Sequence, residues 1–551
     1  IFYLTAKTIA HTVSRNAVEL LEDRGLRLKT VILTAKEKIC CQEQVDCNPA
    51  VCPYAEGHFD RVNDALYDVV LHETVVDRDV VIRYAQAHRV CPFELRFADM
   101  VICDYNYVFD PRASLKRFFA AEGGKPGDYV FLVDEAHNLV DRASSMYSAE
   151  IVKEDFLELK KLTAQYGGRM ARHIGSCNRE LLTMKKEVPE EGYRVLSSIA
   201  PLHLKLLSLH EAIQLFLEEH RQIPERKEVL NFYFNLTSFL NIAEMMDENY
   251  VVYDEIRDDG RFVVRLYCVK PAVNIRNCLD KGLATVFFSA TILPVRYYME
   301  MLSDCPEDRA IYIPSPFSAE NRKIMIANDV TTRYTNRNEA MYRNIYSYIE
   351  RVISARPGNY MVFFPSYAML EKVHVLTEEL PESLGVEVIA QEQYMTESDR
   401  ESFLRAFEEK DNVLALCIMG GIFSEGIDLT GDRLIGAIIV GPGLPQVCTE
   451  RKLMMDYFDS RTAADEKEAA SDRNGFRYAY QYPGINKVFQ AAGRVIRTET
   501  DQGIILLIDE RFATRRYTEL FPVEWNDSVI CNMQNVDGIL EQFWDYKSKE
   551  I

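Results

Sequence analysis

The chain has 551 residues, 48% of them apolar and 27% charged, an ordinary balance for a folded protein long enough to hold three or four domains. Eighty-four acidic against 64 basic residues give a net charge of −20, which argues against a uniformly basic nucleic-acid binder but leaves room for a local basic groove. No apolar run is long enough to span a bilayer, no secretory leader is legible, and 13 scattered cysteines suit a reducing cytoplasm rather than a disulfide framework.

The chain opens on a strand-like run, Ile1–Leu4, followed by helical spacing over Ile9–Leu21 and a second strand over Lys29–Thr34. A first residue that is Ile and already lies in a strand leads us to expect a longer parent protein. Residues 36–95 interrupt this pattern with a Cys/Pro-rich loop and helices, and β-type runs resume at Ala98–Cys103 and Tyr129–Val133. From 142 to 265 the spacing is mostly helical, over Val195–Gln222 and Glu228–Met246, with a break near Pro224. Thr285–Ser289 reads as another buried strand. Beyond residue 325, strands at Tyr360–Phe364, Val386–Ala390, Val413–Ile418, Leu434–Val440 and Gly503–Asp509 alternate with helices, the mark of parallel sheets built from βαβ units. The fold class is therefore α/β, with two lobes and two insertions in the first.

Tyr129–Val133 breaks directly into Asp134-Glu135-Ala136-His137. Two adjacent carboxylates at the carboxyl end of a buried strand suit nucleotide hydrolysis: Asp134 can hold a magnesium ion through its water shell, and Glu135 can orient the attacking water. A solvated acidic loop is the plain alternative. Ser289-Ala290-Thr291 also follows a strand, where hydroxyls can report the state of a nucleotide to another domain or simply cap a helix. In Gln490-Ala491-Ala492-Gly493-Arg494-Val495-Ile496-Arg497, helical spacing places Gln490, Arg494 and Arg497 on one face, and Gly493 permits close backbone approach. Two guanidiniums three residues apart suit the charge that develops on a transferring γ-phosphoryl group; a basic surface helix is the alternative. In the run Gly420–Asp428, glycines such as Gly426 permit a tight loop near phosphate or ribose, and Asp428 can accept from a hydroxyl or pair with an arginine.

Cys40, Cys47, Cys52 and Cys91 fall in the first interruption with six, four and thirty-eight residues between them, unlike the paired C-x2-C of zinc ribbons. Four thiolates can hold an iron–sulfur cluster or zinc, and spacing alone does not choose. Around them Arg61, Arg83, Arg89 and Arg96 interleave with Phe59, Tyr84 and Phe93, a mixture that suits single-stranded nucleic acid through backbone charge and base stacking. Asp104-Tyr105-Asn106-Tyr107 is similar in character.

Taken in order, Asp134–His137, Ser289–Thr291, Gly420–Asp428 and Gln490–Arg497 resemble motifs II, III, V and VI of superfamily 2 helicases of the XPD/DinG type, the first as a DEAH box. Ile1–Thr8 looks like motif Ia and Val362–Tyr367 like motif IV, so the resemblance runs nearly end to end. It implies two RecA-like parallel-sheet lobes that clamp ATP and Mg2+. By resemblance Asp134 holds the metal, Glu135 acts as base with His137 in the same set, and Arg494 and Arg497 stabilise the γ-phosphate. Gln490, Gly493, Gly426 and Asp428 would touch the nucleotide, Ser289, Ala290 and Thr291 would couple the site to the other lobe, and Thr5, Thr8, Ser366, Tyr105 and Asn106 would touch DNA. The resemblance also implies a 4Fe-4S cluster on Cys40, Cys47, Cys52 and Cys91, with Cys40 preferred to its neighbour Cys41 for its Lys-Glu-Lys-Ile context. Expected boundaries are 1–35, 96–141 and 266–320 for lobe 1, 36–95 for the cluster insertion, 142–265 for a helical arch insertion, and 321–551 for lobe 2.

The phosphate loop G-x-x-x-x-G-K-[ST] does not occur; the nearest cluster, Gly123-Gly124-Lys125-Pro126-Gly127, has a proline and precedes a strand. In the family that loop immediately precedes motif Ia, so we expect it upstream of Ile1 and expect these residues alone to be inactive. With the loop, the expected protein is an ATP-dependent DNA helicase, a monomer without membrane contact. It would travel on single-stranded DNA, 5′ to 3′ by resemblance alone, and open forked duplex. The competing reading is a non-catalytic nucleic-acid-binding protein with a structural iron–sulfur or zinc site. The helicase reading requires the acidic pair of the first lobe and the guanidinium pair of the second to share one cleft.

Overall fold

The computed structural model describes residues 1–6, 10–43, 45, 47–92, 98–116, 118–119, 127–190, 192–424, 429–462 and 474–550. The chain forms two compact units: Ile1–Ala290 with Tyr298–Asp308, and Thr291–Tyr297 with Arg309–Ile551.

In chain order the strands of the first unit are β1 (Phe2–Thr5), β2 (Thr30–Ile32), β3 (Val75–Val76), β4 (Met100–Asp104), β5 (Val130–Asp134), β6 (Ala149–Val152), β7 (Tyr193–Val195), β8 (Tyr250–Ile256), β9 (Phe262–Cys268) and β10 (Ala284–Phe288). Six of them make a parallel sheet in the order β10-β5-β1-β4-β2-β3. Strand β1 lies at its centre because Phe2 and Leu4 are buried and paired on both sides. The Phe2 ring sits against Phe118, Phe119, Tyr129 and Phe131 at centroid distances of 5.2 to 5.9 Å. Each such ring pair adds roughly 0.5–1.5 kcal/mol beyond its buried area. The sequence reading made the strand before Ser289 a buried one. Among the described residues it is instead an outer strand of the sheet, paired only with β5, and Val286 is 50% exposed.

Residues 142–265 are helical only in part. The helices Lys153–Leu162, Gly168–Lys186, Ala200–Glu219 and Arg226–Met245 are present, but β6 to β9 form an antiparallel sheet in the order β6-β9-β8-β7, and Val195 is in a strand. The cause is local. Two runs rich in β-branched and aromatic residues flank Asp259-Gly260, and Gly260 takes the φ of +80° that the connecting turn needs. The long helices bury their apolar stripe, Leu202, Leu206, Leu209, Ile213 and Phe216 on Ala200–Glu219.

The second unit carries β11 (Arg322–Ala327), β12 (Tyr360–Phe364), β13 (Glu387–Ala390), β14 (Val413–Ile418), β15 (Gly436–Val440), β16 (Gly503–Ile508) and β17 (Val529–Cys531), a parallel sheet ordered β13-β14-β12-β15-β16-β11-β17. Alternate side chains feed two cores. Val362, Leu416, Ile438 and Leu506 pack with Ile345 and Trp544 on one face, while Met361, Cys417, Ile439 and Leu507 pack with Phe403 and Phe489 on the other. Both faces being covered explains why these strands read as unbroken apolar runs. β11 and β17 were not anticipated: the first opens on Arg322-Lys323 and the second is three residues long.

Candidate active site

The end of β5 presents the acidic turn. Glu135 sits at φ 47°, ψ 44°, a left-handed conformation that costs an L-residue roughly 1–2 kcal/mol. The fully buried Tyr105, just past β4, holds the turn: its hydroxyl donates to the carbonyls of Asp134 and, at 3.0 Å, Glu135. The Glu135 carbonyl also accepts from Asn138 N at 2.9 Å. Asp134 is gripped from a third side, since Tyr3 on β1 donates its hydroxyl to Oδ2 at 2.9 Å while Glu135 N donates to Oδ1 at 2.8 Å. Burial pushes the Asp134 carboxyl up, as does Glu135, and the bonds from Tyr3 and the Glu135 amide pull the other way. Burial and the Asp134 charge push the Tyr3 phenol up, so it remains a donor.

Parallel pairing of β10 with β5 brings Ser289 beside this turn. Ser289 Oγ donates to Glu135 Oε2 at 3.0 Å and lies 2.8 Å from His137 Nδ1, which is itself 3.4 Å from that carboxylate oxygen. With the serine hydrogen directed to Glu135, Nδ1 of the buried His137 carries its own hydrogen and donates to Oγ. The Glu135 side chain is 51% exposed, so its carboxylate meets water while its geometry is set from behind. Ala290 ends the long segment of the first unit, and Thr291, 7% exposed, begins the short segment Thr291–Tyr297 of the second. Tyr3 and Tyr105 are the residues that sequence reasoning missed as supports of the acidic turn.

In the second unit the helix Tyr482–Ala492 ends before the two arginines. Arg494 and Arg497 therefore stand in the turn beyond it, and the expected single helical face with Gln490 is not formed. The Arg497 and Thr498 amides are captured by Asp501 at 2.7 Å each, which stops the helix from continuing. Arg494 Nε donates to the carbonyl of the fully buried Ser424 at 3.0 Å, tying motif VI to the glycine turn Gly420-Gly421 after β14. Gly493 has an ordinary right-handed φ of −65°, and an added Cβ would meet nothing nearer than 3.3 Å, so its conformation does not demand glycine. Arg497 is exposed and Gln490 half-buried. Gly426 and Asp428 lie outside the described residues, as does Thr8.

Two of the residues expected to touch DNA cannot do so directly. Thr5 and Tyr105 are both 0% exposed, Thr5 at the end of the central strand and Tyr105 committed to the acidic turn. Asn106 accepts from Arg142 at 3.2 Å, and Ser366 caps the helix Tyr367–Thr377 by accepting from Met369 N at 3.4 Å.

The four cysteines share one electrostatic neighbourhood. Burial pushes the Cys91 thiol up, followed by Cys52, Cys47 and Cys40, and Lys36 opposes them. Lys36 is itself held charged by a bond to Cys47, with Cys91 and Cys40 nearby. In kind and number these donors fit a thiolate-bound metal centre. Among the described residues, however, no three His, Cys, Asp or Glu side chains stand close enough to hold a metal ion. All 13 cysteines are free, and no described helix is long and apolar enough to cross a membrane.

Two family models match in sequence: DEAD_2 over residues 12–156, and one described as helicase C-terminal domain over 349–528. The first contains the acidic turn and the second the glycine turn and both arginines. Both models are of helicase domains, and the chain is similar to the XPD/DinG-type superfamily 2 helicases. It is 24% identical over 441 residues to the ATP-dependent DNA helicase XPD of Sulfolobus acidocaldarius, covering 77% of this chain and 72% of that one. It is 21% identical over 472 residues to the ATP-dependent DNA helicase CHL1 of Meyerozyma guilliermondii, covering 76% of this chain but 56% of that relative's length. A solved structure described as XPD_Helicase superposes with a TM-score of 0.59 over 97% of this chain and 91% of that chain at 16% identity, and so shares the fold. The two parallel sheets are RecA-like in fold.

Proposed function

We propose that the chain forms the motor body of an ATP-dependent DNA helicase. The observation that carries this is the Glu135–Ser289–His137 contact, which joins the acidic turn to the small hydroxyl motif on the adjacent parallel strand. Glu135, solvent-facing and braced by Ser289, takes the proton of the attacking water. Asp134, braced by Tyr3, would hold Mg2+, which supplies charge neutralisation at the phosphates. Arg494 and Arg497 meet the charge developing on the γ-phosphoryl group, with Gln490, Gly493, Gly426 and Asp428 around the nucleotide. Loss of the γ-phosphate frees Ser289-Ala290-Thr291 to relay the change across the boundary between the units.

A phosphate cradle is the part that these residues do not provide. The edge of β10, next to Ser289 and unpaired among the described residues, is the position we assign to a further parallel strand ending in such a loop; its exposed Val286 supports the assignment.

We assign 1–35, 96–141 and 266–320 to lobe 1, 36–95 to a cluster insertion, 142–265 to an arch insertion and 321–551 to lobe 2. Cys40, Cys47, Cys52 and Cys91 are our ligands for a 4Fe-4S cluster, a reading supported by their common neighbourhood with Lys36. The substrate is single-stranded and forked DNA, travelled 5′ to 3′ on the family resemblance, by a monomer in a reducing compartment such as the cytoplasm, which the free cysteines support. The test is ATP hydrolysis stimulated by single-stranded DNA in a protein that carries the phosphate loop. A Glu135→Gln variant hydrolysing ATP at the normal rate would refute the assignment.

A further inference from the structure

Seven residues, Thr291–Tyr297, follow directly on Ala290, pack with the second unit, and give way at Tyr298 to a segment of the first. Their composition explains this excursion: Ile292, Leu293, Val295 and Tyr297 all gain by burial, and two of them act as anchors. Leu293 packs against the core that Ile485, Val488 and Phe489 of the helix Tyr482–Ala492 help to build. Tyr297, 4% exposed, sets its ring edge to face on Tyr478, centroids 5.0 Å apart at 86°, and tilted on Tyr482 at 5.2 Å. Ring contacts of this kind are directional, so the seat fixes an orientation as well as burying area.

The seat is built where a helix of the second unit changes its winding. Arg477–Gln481 form a π-helical turn, an uncommon winding that recurs at functional positions, and Tyr482–Ala492 continues from it as an ordinary α-helix. Tyr478 and Tyr482 lie with centroids 5.5 Å apart, and Phe458 backs Tyr478 at 4.3 Å. The eleven residues from Tyr482 span roughly 16 Å and lead into Gly493 and Arg494. Ile485, Val488 and Ala491 are fully buried along the way, which makes this helix a stiff rod and not a loose tether. Glu135 and Arg494 are thus joined by a short physical route. Ser289, bonded to Glu135 at 3.0 Å, is eight positions before Tyr297, and the ring of Tyr297 meets the first residue of the rod.

We propose that Tyr297 is a positioning residue of the motor: seated on Tyr478 and Tyr482, it passes the state of the Glu135–Ser289 contact to the helix that leads to Arg494. This rests on the helicase reading and adds to it a residue outside every motif. The test uses the full-length protein with its phosphate loop, and its readout is the number of base pairs opened per ATP hydrolysed on a fluorescent forked duplex. Loss of folded protein lowers both rates together and leaves this ratio unchanged, whereas loss of coupling lowers it. Tyr297→Leu should hold the KM for ATP within about twofold and lower the ratio about tenfold, a size usual for coupling between sites, while Tyr297→Phe keeps the ring and should stay within about twofold of the parent. Tyr482→Leu should also lower the ratio, and the double variant should fall no further than the worse single one, because both substitutions remove the same seat. The proposal is overturned if Tyr297→Leu keeps the parent ratio, if Tyr297→Phe falls as far as Tyr297→Leu, or if the two leucine effects multiply. A parent that opens no duplex with ATP refutes the helicase reading and this proposal with it; with an active parent, the variants judge the role of Tyr297 alone.

Discussion

Glycine normally destabilises a folded position relative to alanine, and at residue 135 we expect the order to reverse. Glu135→Gly and Glu135→Ala both delete the carboxylate and its bond from Ser289, so that loss cancels between them. What remains is the backbone at φ 47°. A Cβ in the left-handed region costs roughly 1–2 kcal/mol, and glycine's larger unfolded freedom costs about 0.5–1 kcal/mol. The glycine variant should therefore be more stable than the alanine variant by about 0.5–1 kcal/mol, an upward shift of roughly 1–3 °C in the melting of the first unit. Differential scanning calorimetry of the two variants side by side reads this shift. Glu135→Gln keeps the Cβ and should melt near the parent. In a protein carrying the phosphate loop, all three should lose hydrolysis by about 10²–10⁴-fold, the scale of a general base. An alanine variant as stable as the glycine variant would refute the claim that the turn is held left-handed by Tyr105 and Asn138.

Removing the brace gives a second check: Tyr105→Phe takes one donor from the Asp134 and Glu135 carbonyls, the second of which keeps Asn138 N, and should cost about 1–3 kcal/mol, seen as a lower melting temperature and faster amide exchange over 134–139. In the second unit, the fully buried Asp509 accepts from Thr332 N, Thr332 Oγ1 and Arg511 Nε at 2.6 to 2.8 Å. Burial pushes its carboxyl up, but the bonds and charge of Arg511 and the Thr332 hydroxyl prevail and hold it below the ordinary carboxylate value. Its contribution should thus be complete above about pH 3.9 and fade as the pH falls through the lower folded value, so the urea midpoint of this unit should drop on acidification. Asp509→Asn should cost about 2–4 kcal/mol, because the half-buried Arg511 is left without its counter-charge. Finally, protein purified without oxygen should be brown with a broad visible shoulder, and Cys52→Ser should lose that colour and its iron; a colourless parent holding zinc would leave the thiol set but remove the cluster.

Much of the architecture was legible because buried parallel strands are continuous apolar runs. Val413–Ile418 was read to the residue, and Tyr129–Val133 and Gly503–Asp509 to within one. The antiparallel hairpin around Asp259-Gly260 was not read, because the helical periodicity of Val195–Gln222 and Glu228–Met246 before it was carried on across its strands. The helix before Arg494 was extended too far because periodicity records spacing and not termination, which Asp501 enforces from beyond the helix end. Local pattern determined the α/β class, the order of the motifs and the choice of candidate side chains, since each of these lies within a few neighbouring residues. Tertiary structure alone decided that Tyr3 and Tyr105 support the acidic turn, that Tyr105 and Thr5 are fully buried, and that β10 is an edge strand among the described residues. Such contacts join residues as far apart as His137 and Ser289, separated by 152 positions, and only the pairing of β5 with β10 brings them within a hydrogen bond.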